Sequence, residues 1–133
     1  MESITMPDRL VAIGFNAFQF CKSLKTIAIP ARVAQIGAVC FFGSSVLEEI
    51  NVDMANTKFA SVDGVLYDKG LTTLITCPAG KQGRVTVPST VTNISGWSFA
   101  GCNRLTHIGI PSSVKDVDAR AFEGCDAIHE TSR

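Results

Sequence analysis

Charge is scarce in this chain and has no net sign. Charged residues make up 18% of the 133, against about 25% in an average domain, and twelve basic residues balance twelve acidic ones. A neutral balance leaves no electrostatic footprint for nucleic acid or for an anionic membrane. No apolar run approaches the ~18 residues of a membrane-spanning helix, so no membrane insertion is expected. The chain has one tryptophan, one tyrosine and two histidines. No glycine-rich phosphate loop is present, and no pair of carboxylates shares a frame that would hold it. An enzyme is therefore not expected, nor a cofactor. What the chain does have is hydrophobic content, 46% of its residues, enough for one domain with a real core.

The cysteines are Cys21, Cys40, Cys77, Cys102 and Cys125, an odd number without the spacing of a disulfide framework. Buried reduced thiols are the expectation. Cys102 and Cys125 are the one pair placed for a bridge. Cys102-x4-His107 and Cys125-x3-His129 superficially have metal-ligand spacing. The thiols should face the core, however, and His107 the outside, so no zinc site is expected.

The dominant feature is a repeat of 23 residues. The frame opens at Pro7, Pro30, Pro88 and Pro111, and Pro7 to Pro30 spans the same 23 residues as Pro88 to Pro111. A fixed period of this size marks a solenoid, each unit one coil stacked on the next. Within the frame, Leu24-x-x-Ile27-x-Ile29-Pro30, Leu47-x-x-Ile50-x-Val52 and Leu105-x-x-Ile108-x-Ile110-Pro111 read as strands. Their last two apolar positions alternate, and proline ends the ladder. Stacked in parallel, they should form one sheet on one side of the solenoid. Val33-x-x-Ile36-Gly37 and its equivalents predict a second short extended segment. Gly14, Gly37, Ser95 and Asp118 follow it, and such turn formers predict a bend. Phe18, Phe41, Phe99 and Phe122, each 11 residues past its proline, should form a stacked column through the core.

One unit breaks the frame. Residues 53–87 number 35, which is 12 more than one repeat. Asp63-Gly64 and Asp68-Lys69-Gly70 are tight-turn signals. Val65-Leu66-Tyr67 reads as a strand and Leu74-Ile75-Thr76-Cys77 as its return partner, so a β-hairpin insert replaces part of this coil. The register resumes at Val85-Thr86-Val87-Pro88. The units are then 7–29, 30–52, 53–87, 88–110 and 111–133 of a single domain, 1–133.

The frame Ile29-Pro30-x-x-Val33-x-x-Ile36-Gly37, with Phe41 and Leu47-x-x-Ile50-x-Val52 after it, resembles the BspA-like leucine-rich repeat. Phe59-x-Ser61-x-Asp63-Gly64-Val65-Leu66-Tyr67 looks like the hairpin element that interrupts such arrays. The resemblance covers nearly the whole chain. It implies a leucine-rich-repeat solenoid, mostly β within an α/β repeat class, of about five right-handed coils. It also implies a bacterial or protozoan protein, at the cell surface or secreted, that binds a protein partner such as host matrix. Ser44 departs from the frame, which expects cysteine. Thr131 and Arg133 depart too, where apolar strand residues are expected. Residues Met1 to Pro7 carry neither a basic nor an apolar leader region. The expectation is either a protein made without a leader, or an excerpt of a longer array with exposed coil ends. Exposed ends suit an end-on homodimer. A structural spacer of a larger surface protein and a cytosolic scaffold are the competing expectations.

Function must lie where the repeat does not explain the residue. Along each strand the positions two and four before the proline should face outward. They are Ser3 and Thr5, Thr26 and Ala28, Glu49 and Asn51, Arg84 and Thr86, His107 and Gly109. Thr26, Glu49, Asn51, Arg84, Thr86 and His107 are the candidate partner contacts on this face, with the centre of the column bordering a protruding insert. Trp97 joins them as a candidate. It lies nine past Pro88, a place held by Asn16, Val39 and Arg120 elsewhere, and tryptophan is enriched at interface hot spots. Phe20 and Phe42 also sit at variable positions and could add to an apolar patch.

Overall fold

Alternation of side chains sets the strands. In Thr26-Ile27-Ala28-Ile29 the isoleucines are buried while Ala28 is exposed, and Glu49-Ile50-Asn51-Val52 buries Ile50 between exposed neighbours. This is the period-two pattern of a strand with one face on a core. The computed structural model describes residues 3–4, 6–14, 17–37, 40–125 and the backbone of 131–132. In chain order its strands are β1 Ser3–Ile4, β2 Ala12–Ile13, β3 Thr26–Ile29, β4 Gln35–Ile36, β5 Glu49–Val52, β6 Phe59–Val62 and β7 Val65–Asp68. They continue with β8 Thr73–Thr76, β9 Gly83–Thr86, β10 Asn93–Ile94, β11 Leu105–Gly109, β12 Asp116–Val117 and β13 Thr131–Ser132. The described residues contain no helix.

The strands wind into a β-solenoid of about five coils, with parallel pairing between successive tiers. Thr26 pairs with Glu49, Ala12 with Gln35, Arg84 with His107 and Asn93 with Asp116. In each case one 23-residue repeat is one turn of the stack. The bends after β2, β4, β10 and β12 close by the same local bond. The amides of Ala17, Cys40, Ser98 and Ala121 donate to the carbonyls of Gly14, Gly37, Ser95 and Asp118.

Three expectations need correction. First, the strand face is two three-stranded sheets, β1-β3-β5 and β9-β11-β13. The insert separates them by capping the edge of β5. Ile50 N–H donates to the Gly64 carbonyl at 2.9 Å, and Val52 N–H to Ser61 Oγ at 2.9 Å. Those bonds satisfy the edge without a strand, so the ladder stops. Second, the expected β-hairpin is present, with β7 and β8 antiparallel, but β6 extends it and its Gly64 turn is bonded to β5 rather than protruding. β6, β7 and β8 form an antiparallel meander, and β8 joins β10 and β12 in parallel. β7 and β8 are thus paired on both sides, and β6 forms the end of this sheet. Asp63 and Gly64 both take positive φ, 54° and 80°, as a two-residue type I′ hairpin requires.

Third, the phenylalanine column is interrupted. Phe18 stacks on Phe41 at 5.8 Å and Phe99 on Phe122 at 5.1 Å, the rings of each pair nearly parallel. Between the pairs stands Cys77. Its amide bonds the Ser98 carbonyl, as Phe99 bonds Ala121 and Phe18 bonds Cys40. The insert changes the residue count so that a cysteine falls on the spine. The core divides at the same level into two clusters. Leu66 faces the first, and Val65 and Tyr67 face the second. β7 is therefore buried on both sides, which is why Val65-Leu66-Tyr67 is continuously apolar.

The cysteine position of the repeat is a coil-to-coil hydrogen-bonding position. Cys102 Sγ donates to the Cys77 carbonyl at 3.5 Å, and Cys125 Sγ to the Cys102 carbonyl at 3.3 Å. Ser44 serves the same role with a hydroxyl. Its Oγ donates to the Phe18 carbonyl and accepts the Cys21 amide at 3.1 Å, so the departure from cysteine preserves the contact. None of the five cysteines is in a disulfide. Cys40, Cys77 and Cys102 are buried as expected, whereas Cys21 and Cys125 are only half-buried, each in the turn of an outer tier.

Candidate functional site

The outward positions of the strand face stand in register. Ser3, Thr26 and Glu49 form one row, and Ala28 and Asn51 a second. On the other sheet Arg84 adjoins His107, and Thr86 adjoins Gly109. Glu49, Asn51, Arg84 and Thr86 are exposed, while Thr26 and His107 are half-buried. His107 Nδ1 lies 3.1 Å from Thr106 Oγ. Thr5 of the expected column, Asn16 and Val39 of the Trp97 position, His129 and Arg133 lie outside the described residues.

The tip of the meander fills the middle of this face. A Cβ on Gly64 would come within 3.2 Å of the Glu49 Cα, so the turn rests directly on β5. Lys81 Nζ donates to the Asp63 carbonyl at 2.6 Å and sits 3.4 Å from its carboxylate, with the lysine side chain 12% exposed and the aspartate 79%. Glu49, Asp63 and Lys81 thus bring three charges to the edge of the first sheet, and Arg84 stands on β9, the edge strand of the second. Arg84 and Glu49 were visible in the repeat frame. Asp63 was visible as a turn residue, but its pairing with Lys81 joins two irregular segments and has no periodic signal.

Trp97 belongs to a different surface. It stands in the turn segment after β10, half-buried, at a φ of 64°. Its ring meets Phe42 edge-on at 5.8 Å, and Phe42 meets Phe20 edge-on at 5.9 Å. The Arg120 guanidinium lies 5.9 Å from the indole centroid, within cation–π range. Both variable phenylalanines therefore join the tryptophan. The sheet residues do not. Phe20 is held at a φ of 58°, a conformation that costs a bulky residue about 1–3 kcal/mol.

Titratable groups here are structural. Burial pushes the Cys40 thiol up to about 12. A hydrogen bond with Cys77, then burial, raises Cys102 further. Neither thiol presents a thiolate near neutral pH. Burial also pulls the Asp68 carboxyl upward, but the Thr72 hydroxyl and the amides of Thr73 and Thr72 outweigh it and hold the group below its ordinary value. A carboxyl with a depressed folded pKa stabilises above its unfolded pKa, and that stability is lost as pH falls through the folded value. Asp68→Asn should lower stability at pH 7 by on the order of 1 kcal/mol. The deficit should shrink as acid titrates Asp68, read by urea titrations at pH 7 and pH 3. An equal deficit at both pH values would remove Asp68 as its source.

Residues 1–65 and 79–132 match the BspA type leucine rich repeat region in six copies. No curated protein matches the chain. Among solved structures it is similar to the pneumococcal vaccine antigen PcpA, with a TM-score of 0.87 and 27% identity over 94% of this chain. It is similar to a leucine-rich repeat protein from Eubacterium ventriosum, with a TM-score of 0.83 and 34% identity over 91%. A leucine rich cell surface protein from Faecalibacterium prausnitzii shares the fold, with a TM-score of 0.78 and 23% identity over 100%. The chain spans 31%, 32% and 41% of these three proteins, respectively.

Proposed function

Since the chain belongs to the BspA-type leucine-rich repeat family, whose members are generally non-enzymatic protein-interaction modules, we propose that it is a binding segment of a bacterial surface protein that holds a host or matrix protein on its strand face. The observation that carries this reading is the middle of that face. Elsewhere the outward side chains are mostly small or polar and uncharged. Beside the gap between the sheets Glu49, Asp63 and Lys81 gather at a turn that is bonded to β5, and Arg84 stands on β9, the edge strand of the other sheet. Charges fixed by a rigid scaffold select partners by complementarity more than they add raw affinity. Surface exposure is supported by the names of two relatives, one a vaccine antigen and one a cell surface protein.

The test is an array of candidate matrix glycoproteins on a biosensor, probed with the wild-type chain and with Glu49→Arg and Arg84→Glu. Each reversal should weaken binding at least about tenfold, equivalent to roughly 1.4 kcal/mol. The combined Glu49→Arg/Arg84→Glu variant should bind no better than either alone. Binding unchanged by both single variants would remove the strand face as the site.

A further inference from the structure

The turn flank of the solenoid is regular at every tier but one. In the first tier the amides of Phe18 and Phe20 donate to the Cys40 and Phe42 carbonyls, both at 3.0 Å. In the fourth tier the amides of Phe99 and Gly101 donate to the Ala121 and Glu123 carbonyls, at 2.8 and 3.2 Å. The third tier keeps only the rung from Cys77 to Ser98. The groups that would make the outer rungs there are Gly43 N–H on one side and Ala100 C=O on the other. Neither has a partner among the described residues.

The cause is a turn drawn inward. Gly80 N–H donates to the Leu47 carbonyl at 2.7 Å, and the Pro78 carbonyl accepts the Lys81 amide at 3.1 Å. Outside this turn lies a recess of about 270 Å³, lined by Phe42, Gly43, Ala79, Ala100 and Gly101, with the carboxylate-bearing Glu123 on its rim. Trp97 adjoins it, sharing a small cleft with Phe42, Ala79 and Ala100.

Phe20 extends the same surface. Its place is held by Gly43, Gly101 and Gly124 in three other tiers, at φ of 81°, 71° and 72°. Stacking alone would favour glycine here too. Instead a phenylalanine takes the left-handed conformation, lays its ring over Gly43 and leaves 59% of its surface exposed. Strain in an exposed aromatic points to a partner. Charge narrows the partner's chemistry. Lys22, Arg104 and Arg120 are exposed, and Arg120 is the one that stands beside Trp97. The opposing carboxylates among the described residues are Glu123 and Asp118, and Asp118 is tied to the Arg120 amide at 2.8 Å.

We propose that the turn flank is a second docking surface, which takes an extended acidic peptide segment of a protein partner. The segment's main chain occupies Gly43 N–H and Ala100 C=O, in the manner of strand addition. An apolar side chain enters the recess over Ala79, and an acidic one meets Arg120 beside Trp97. Phe20 and Phe42 cover the segment.

The probe is the blocked peptide acetyl-Glu-Leu-Glu-amide, with acetyl-Lys-Leu-Lys-amide and methyl β-glucoside as comparators, followed by amide and indole NMR shifts. The acidic peptide should shift Gly43, Gly101 and the Trp97 indole saturably. The lysine peptide should bind at least about threefold more weakly. Phe20→Gly should weaken the acidic peptide at least about threefold while leaving the melting temperature equal or higher. Ala79→Arg should abolish saturation. Arg84→Glu should leave peptide binding unchanged, which separates this surface from the strand face. The proposal is overturned if the acidic peptide gives no saturable shift at Gly43 and Gly101, if the lysine peptide binds equally, or if only the glucoside moves Trp97. It is also overturned if Phe20→Gly lowers the melting temperature, which would make Phe20 a packing residue.

Discussion

Phe99→Ala should destabilise the protein by about 3–5 kcal/mol, the usual cost of truncating a buried phenylalanine. Phe99 is 0% exposed and lies nearly parallel to Phe122 at a centroid distance of 5.1 Å. Its other neighbour on the spine is Cys77, so the side facing the insert has no second ring that could tilt into the space. Cavities cost more where the surroundings cannot collapse. Here the turn of the third tier is fixed by bonds from Cys77 to Ser98 and from Gly80 to Leu47. Phe18→Ala should cost less, because Phe18 is half-buried in the first tier although it stacks on Phe41. Urea denaturation of the two variants tests the order. A loss below ~1 kcal/mol at Phe99, or a larger loss at Phe18, would contradict the broken spine. A domain of this size has about 5–15 kcal/mol of stability in all, so the expected loss is a large fraction of it.

The repeat made the stacked part of this molecule legible. Proline spacing gave the coil length, and the 23-residue pairing of Thr26 with Glu49 and Arg84 with His107 follows from it. Alternation placed Ile27, Ile50, Val85 and Ile108 inside and their neighbours outside. Asp63-Gly64 announced its turn because few dipeptides tolerate two positive φ angles. What stayed hidden depends on contacts between an irregular segment and a regular one. The end of the first sheet is set by Gly64 and Ser61 reaching β5, and neither residue is in a repeat position. β6 was missed because its burial alternates only weakly beside the open edge.

The aromatic stack on the flank escaped the frame for a different reason. Phe20, Phe42 and Trp97 stand 13, 12 and 9 residues past their prolines. A column at unequal offsets has no period, and Trp97 meets Phe42 across an intervening tier. Sequence reasoning grouped Trp97 with the sheet residues because both were exceptions to the repeat. The fold separates the exceptions into two surfaces, each centred on the disturbance that the third tier introduces. One is the charged gap in the strand face, and the other is the recess in the turn flank.

Asn56 ties both disturbances to the stack, and its removal should be the costliest polar substitution in the chain. The residue opens the insert and is 1% exposed. Its Nδ2 donates to the Pro30 and Val33 carbonyls, both at 3.0 Å, and its Oδ1 accepts the Lys58 and Phe59 amides, both at 2.8 Å. One side chain therefore joins the proline turn of the second tier to the start of β6. Asn56→Ala leaves these groups without that partner in a buried site, where each unsatisfied group costs about 1–3 kcal/mol. Some will find water, so a total of about 3–5 kcal/mol is expected. The loss should be local first. With β6 released, Gly64 and Ser61 no longer hold β5, and the amides of Ile50 and Val52 should exchange far faster than that of Asp53, which bonds Ile29 within the stack. Asn56→Asp gives the sign check. It keeps the acceptor, removes both donors and sets a carboxylate against two carbonyls, so its folded pKa should rise. Stability of that variant should then increase as pH falls toward the raised value, opposite to the behaviour expected of Asp68. Hydrogen exchange and urea titrations at two pH values read both effects. Equal protection of Ile50, Val52 and Asp53 in Asn56→Ala would show that the insert is held by something other than this side chain.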